Sequence, residues 1–246
     1  MISTRKISAL FAKDAKSIMH NVFVLSGVLI IPVVAFVFGL IAEEEIMMTY
    51  LVMVAQMNIL MNGANIICVM IAEEKEKHTL GVLKASTVSG LDFLIAKLLI
   101  TVLVTSAVSA LVFFMFGMNN NMNFGMYMLL TTVAILPAAA IGAIIGIATK
   151  TQSAASSVVA PFALVLLFVP IVVHPESGAW RVLRFMFSEQ LVYGLRYLYN
   201  NEPVLGMRPI DSLESFWVSI GIILANFAVL FAIFLVFYRR KGLATG

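Results

Sequence analysis

The sequence predicts an all-α polytopic membrane protein. It would have six transmembrane helices, an amphipathic helix ahead of the first, and outer amphipathic or re-entrant helices before the last. Three observations predict this. The 246 residues are 61% hydrophobic and 12% charged, with a mean hydropathy of +1.02, whereas soluble domains are about 45–50% apolar and about 25% charged. A soluble fold of this length could not cover so much apolar surface, so its solvent is lipid. Six apolar runs, each close to the ~20 residues that cross a hydrocarbon core of ~30 Å, use the whole length in one domain. The basic residues gather on alternate sides of those runs.

In chain order, residues 2–19 carry apolar side chains at Ile7, Leu10, Phe11, Ile18 and Met19, with lysines on other faces. This suits an amphipathic helix along a membrane surface; a positively charged flank to the first span is the plainer alternative. No apolar stretch with a cleavage site opens the chain, so no cleaved signal peptide is expected. The first span covers about 22–42 with Pro32 inside it, which membrane helices tolerate, and Glu43-Glu44-Glu45 ends it. The second, about 46–72, is longer than a bilayer needs and is expected to tilt or project. A charged stretch, 73–97, comes next. The third span, about 98–118, is closed by Asn119-Asn120-Asn121, and the fourth, about 126–148, contains Pro137. The fifth, about 157–173, contains Pro161 and Pro170; the sixth, about 215–238, stops at Arg239-Arg240-Lys241. Between these two, apolar residues at 180, 183, 187, 191, 195 and 198 keep helical spacing among Arg181, Arg184, Glu189 and Arg196. One amphipathic helix, or two short ones dipping into the outer leaflet, is expected there; a loop packed on the bundle's outer end is the alternative.

Twelve of the 16 Lys and Arg residues lie in the N-terminal segment, the 73–97 stretch, the turn after the fourth span and the C-terminus. The remaining four lie in 174–214. The positive-inside rule therefore puts both termini and 73–97 in the cytoplasm. The same distribution accounts for the net charge of +3 without a nucleic-acid partner.

Several chemistries are disfavoured. No G-x-x-x-x-G-K-[ST] loop occurs, so the chain is not expected to cradle a nucleotide. His20, His78 and His174 stand far apart at span ends and form no metal-ligand pair, and Cys68 is the single cysteine. The pairs Glu43-Glu44 and Glu73-Glu74 occupy span ends, and no histidine is placed at helical spacing within a span to partner them, so catalysis and cofactors are not expected. No charged residue lies deep in any of the six spans. A charge at a helix centre costs roughly 2.5–3.5 kcal/mol on insertion scales, which proton- or sodium-coupled carriers accept for function. Energy for transport would then have to come from outside the chain.

Polar residues do occur within the spans. Asn58, Asn62 and Asn65, spaced i, i+4, i+7, are expected on one face of the second span. They would either line a translocation path or bond to neighbouring helices. Thr101, Thr105 and Ser109 in the third span repeat the pattern and have the same two readings, of which interhelical hydrogen bonding is preferred. Ala138, Gly142 and Gly146 form a small-xxx-small row for close packing, within the chain or against a second copy.

The charged stretch carries a resemblance. Glu74-Lys75-Glu76, then Thr79-Leu80, Leu83, Ser86, Val88 and Ser89, is similar to the pattern E-[KR]-E-x-x-T-L-x-x-L-x-x-[ST]-x-[VI]-S. That pattern comes after the second span in permease subunits of ABC-2 type ATP-binding-cassette exporters. His78 stands where a glycine is commonest. Ser188 to Arg196, SEQLVYGLR, looks like that family's segment before the last span, without its frequent proline. The resemblance implies two paired six-span permeases, each engaging a separate ABC ATP-binding subunit that binds the ATP, through a short cytoplasmic coupling helix. Here that helix would fall within about 83–93. The implied coupling residues are Glu74, Glu76, Thr79, Leu80, Leu83, Ser86, Val88 and Ser89, and the amphipathic helix would help clasp the ATPase. The resemblance further implies a multi-pass protein of a bacterial plasma membrane that exports an amphiphilic drug, antibiotic, peptide or lipid, as a homo- or heterodimer. A polytopic scaffold or intramembrane enzyme without an ATPase is the alternative.

Overall fold

The computed structural model describes residues 4–78, 90–118, 121–172, 180–199 and 215–238. Every regular element among them is a helix. In order these are α1 (Thr4–Ile18), α2 (Val22–Ile41), α3 (Glu44–Met57), a π-helical turn (Asn58–Asn62), α4 (Gly63–Glu76), α5 (Gly90–Met115), α6 (Phe124–Ala148), α7 (Gln152–Val172), α8 (Trp180–Leu183), α9 (Phe187–Leu198) and α10 (Phe216–Phe237). Six stretches are long and apolar enough to cross a membrane, with α3, the π turn and α4 together making one.

Orphan amides at helix starts need partners, because lipid supplies none. The Asn21 side-chain oxygen accepts from the Phe23 and Val24 amides, at 3.1 and 3.3 Å. Asn123 accepts from Met126 at 3.0 Å to begin α6, and Ser215 from Val218 at 3.4 Å to begin α10. Helices α2 (Val22–Ile41), α6 (Phe124–Ala148) and α10 (Phe216–Phe237) lie over the stretches read as the first, fourth and sixth spans. The fifth helix begins at Gln152 rather than about 157. The third begins at Gly90 rather than about 98, and α4 runs on to Glu76. The interval between the second and third helices is therefore shorter at both ends than the apolar pattern suggested. Charged groups at both ends have partners inside the protein, so the helices continue through them.

The α3–π–α4 span is the axis of the bundle, and α4 packs most closely on α6. A Cβ on Gly142 would stand 2.0 Å from the Ala64 carbonyl oxygen, and one on Gly146 would stand 2.8 Å from that of Cys68. The small-residue row of α6 therefore packs within the chain, against the small residues of α4. α2 and α10 are far less covered: Val22, Leu29, Val33, Leu40, Trp217 and Val229 are all at least 60% exposed, a surface suited to lipid or to another apolar partner.

The segment before the last span is re-entrant. The Phe185 carbonyl, between α8 and α9, accepts from Asn226 at 2.8 Å, and Asn226 lies near the middle of the 22-residue α10. From there α9 climbs back toward the end of the bundle that holds Asn121. Gln56 donates to the Ser188 carbonyl at 3.5 Å, a Cβ on Gly194 would meet Leu130, and Asn121 donates to the Tyr199 hydroxyl at 3.4 Å. Residues 187–196 are all buried. The amphipathic pattern read from the sequence corresponds to a helix sunk into the bundle rather than one lying across its mouth.

Candidate functional site

The end of α4 is a junction. An α-helix turns about 100° per residue, so Glu73, Glu74, Lys75 and Glu76 reach in four directions and bind four parts of the molecule. Glu73 accepts from Ser17 at 3.1 Å and from Asn21 at 3.2 Å, which ties α4 to the corner between α1 and α2. Glu74 meets Lys13 of α1 at 2.5 Å and Lys97 of α5 at 3.6 Å. Lys75 donates to the carbonyls of Ile147, at 2.6 Å, and Thr149, which closes the C-terminus of α6. Glu76 accepts from the Gln152 backbone amide at 3.0 Å, at the start of α7, and Gln152 in turn accepts from Asn21 at 2.6 Å.

Lys97 is the centre of this junction. It is 1% exposed, 3.2 Å from Asp14 and 3.6 Å from Glu74, and its ammonium lies 4.7 Å from the centre of the Phe93 ring. An isolated buried charge would cost several kcal/mol, so the cation requires its two carboxylates as they require it. Burial raises the Asp14 carboxyl above the ordinary aspartate value, against the opposing pull of Lys97. Asp14 is one of the three residues α1 buries, with Leu10 and Ile18. The amphipathic helix is thereby held by a charge cluster as well as by an apolar stripe.

Of the expected coupling residues, Glu74 is buried in this cluster and Glu76 faces Gln152. Thr79, Leu80, Leu83, Ser86, Val88 and Ser89 lie outside the described residues. Of the expected coupling helix, residues 90–93 form the first turn of α5, and Phe93 packs inward beneath Lys97 with 5% exposure. Sequence reading missed Asp14 and Lys97 as partners. The available signal was a lone acidic residue in a basic amphipathic helix and a lysine bordering a span.

The asparagines divide between two roles. Asn58 donates to the Thr105 carbonyl at 3.0 Å and to Ser109 Oγ at 2.9 Å, and Asn62 donates to Asn58 Oδ1 at 2.9 Å. Asn65 instead donates to the Phe23 carbonyl of α2 at 3.3 Å and accepts from Ser156 of α7 at 3.0 Å. The expected common face is thus broken. The π turn at 58–62 is wider than an α turn and resets the helical phase from Gly63 onward. Asn62 and Asn65 line a cleft of about 210 Å³ between α2, the axis and α7, with Ser26, Gly27, Ile30 and Ser156 among its walls. Asn58 stands behind it, fully buried.

Comparison with curated proteins finds no match. A sequence profile described as ABC-2 family transporter protein matches residues 12–236. The match runs from the second half of α1 almost to the end of α10 and takes in the junction, the cleft and the re-entrant helix; the chain belongs to the ABC-2 transporter family.

Proposed function

We propose that this chain, a membrane component of an ABC-2 transporter, is the permease subunit of an exporter that moves an amphiphilic drug, antibiotic, peptide or lipid outward. ATP is bound and hydrolysed by a separate ABC ATP-binding subunit, and two permeases, identical or homologous, pair in the plasma membrane. The observation that carries this reading is the junction at Glu73–Glu76. The chain leaves α4 there toward 79–89, and a force applied to that segment meets α1, α5, α6 and α7 at once through the bonds of these four side chains. In this mechanism Leu80, Leu83 and Val88 seat in the ATPase, with Thr79, Ser86 and Ser89 beside them. Glu74 and Glu76 pass the displacement into the bundle, and Asn62 and Asn65 border the substrate path. An apolar path with a few amides suits amphiphiles better than sugars or ions.

The test is co-purification of the chain with an ATPase subunit, then measurement of substrate-stimulated ATP hydrolysis in proteoliposomes. Leu83→Asp and Val88→Asp should abolish the stimulation while membrane insertion remains intact. Unchanged stimulation removes the coupling assignment. Failure of the intact chain to recover any ATPase favours a scaffold or intramembrane enzyme instead.

A further inference from the structure

The cleft has a hydrogen-bonding polarity, and a relay of bonds across the bundle sets it. A backbone carbonyl can only accept, so the Thr105 carbonyl fixes which end of Asn58 is the amide nitrogen. Asn58 must then turn its oxygen toward Asn62, and this oxygen in turn draws the Asn62 nitrogen. Asn62 Oδ1 is left on the other branch, toward α2, where it lies 2.8 Å from the place a Cβ on Gly27 would occupy. Asn62 is 1% exposed, and among the described residues no donor reaches this oxygen. Asn65 is oriented in the same manner, its nitrogen held by the Phe23 carbonyl. The Ser156 hydroxyl gives its proton to Asn65 Oδ1, and that of Ser26 gives its proton to the Phe23 carbonyl at 3.2 Å. Each hydroxyl presents lone pairs to whatever lies beside it. Among the described residues, none that lines the cleft is charged.

We infer that this cleft is a binding site for the head group of an amphiphile that donates hydrogen bonds, a protonated amine above all. The inference rests on the reading of Asn62 and Asn65 as path residues. An acceptor that opens on the cleft without a protein donor is left to the cleft's occupant, and a charge-assisted bond from an ammonium is among the stronger ways to satisfy it. The Asn65 nitrogen, with one N–H to spare, lies 3.9 Å from the place a Cβ on Gly27 would occupy, but no described lining residue is a cation, so an anionic head would meet mostly acceptors. The volume of about 210 Å³ is below the roughly 300–1,000 Å³ of pockets that enclose a drug-sized ligand. The site therefore takes a head group while the apolar remainder lies along Phe23 and Ile30, which are 44% and 53% exposed. Gly27 is required because any side chain there would fill the space in front of Asn62 Oδ1.

The experiment compares dodecylammonium with dodecyltrimethylammonium, which share charge and chain length but differ in N–H donors. Binding is read on the intact chain in phosphatidylcholine nanodiscs, with empty nanodiscs as reference and without ATP or ATPase. Dodecylammonium should bind at least about tenfold tighter. Gly27→Ala should remove that preference, and Ser156→Ala should weaken dodecylammonium several-fold while leaving the quaternary amine unchanged. Equal affinity for the two amines, or a preference that survives both substitutions, overturns the site. Equal affinity together with intact stimulated ATP hydrolysis defeats this inference alone and leaves the exporter reading standing. A preserved preference without ATPase stimulation does the reverse.

Discussion

At the scale of single residues, Lys97 carries the largest consequence. Replacing it by Met keeps the volume and the helix propensity but leaves Asp14 and Glu74 buried together without their shared cation. Removing one partner of a buried charge cluster costs about 3–5 kcal/mol, so Lys97→Met should lower the thermal unfolding midpoint of the purified chain by several degrees. The loss should also depend on pH. The Asp14 carboxyl already sits above its ordinary value of 3.8 in the folded protein, and removing Lys97 raises it further. A folded-state value above the unfolded one means that the native state binds the proton more tightly, so stability falls as pH rises through the interval between the two values. The gap between variant and wild type should accordingly widen from acidic toward neutral pH and close as Asp14 protonates. A gap independent of pH would mean that Lys97 acts by packing alone.

At the scale of elements, the helix bundle rests on how closely α4 approaches α6. Gly142→Val would set a branched side chain where even a Cβ lies 2.0 Å from the Ala64 carbonyl, and backbone atoms cannot swing aside as side chains do. The two helices must separate, at about 1–3 kcal/mol or more, and thermal unfolding of the variant should show it. Gly221→Ala in α10 meets nothing within 4 Å and should leave the midpoint unchanged or slightly raised; equal losses at both sites would refute close packing as the reason for the row. The Ala138-Gly142-Gly146 row was legible in the sequence because a four-residue period of small side chains marks a helix face. Its partner was not legible, since Ala64 and Cys68 stand more than seventy residues away and only tertiary packing brings them near. The π turn was hidden for a different reason. A widened turn changes hydrogen-bond partners without requiring any particular residue type, so the spacing of Asn58, Asn62 and Asn65 suggests an α-helical phase that the chain does not keep. Asn65 consequently faces α2 and α7 rather than sharing a face with Asn58.

For the whole molecule, the six apolar stretches could be read from run length, because lipid permits few alternatives to a continuous helix, whereas the segment before the last showed only in the spacing of its apolar residues. The charged interval was harder: hydropathy alone ends the second span before Glu73 and begins the third after Lys97, although helix continues through both. The ends of the bundle can then be assigned from its bonds. Residues 43 and 77 lie at opposite ends of the α3–π–α4 span. Lys75 bonds the Ile147 carbonyl, which brings Lys150 to the end that holds Lys77. Lys97 beside Glu74 starts α5 from that same end, so Asn121 beyond it belongs with Glu43. The basic residues crowd the end that carries Lys77, and the positive-inside rule predicts a cytoplasmic location for that end. Single cysteines placed at Glu43, Lys77, Asn121 and Lys150, all exposed, turn this into a measurement, with Cys68 fully buried as an internal background. A membrane-impermeant maleimide added to intact cells should label the cysteines at 43 and 121. Those at 77 and 150 should react only after permeabilisation. The opposite pattern would place the α1 junction outside the cell, where no ATP-hydrolysing subunit could reach it, and would overturn the exporter mechanism together with the orientation.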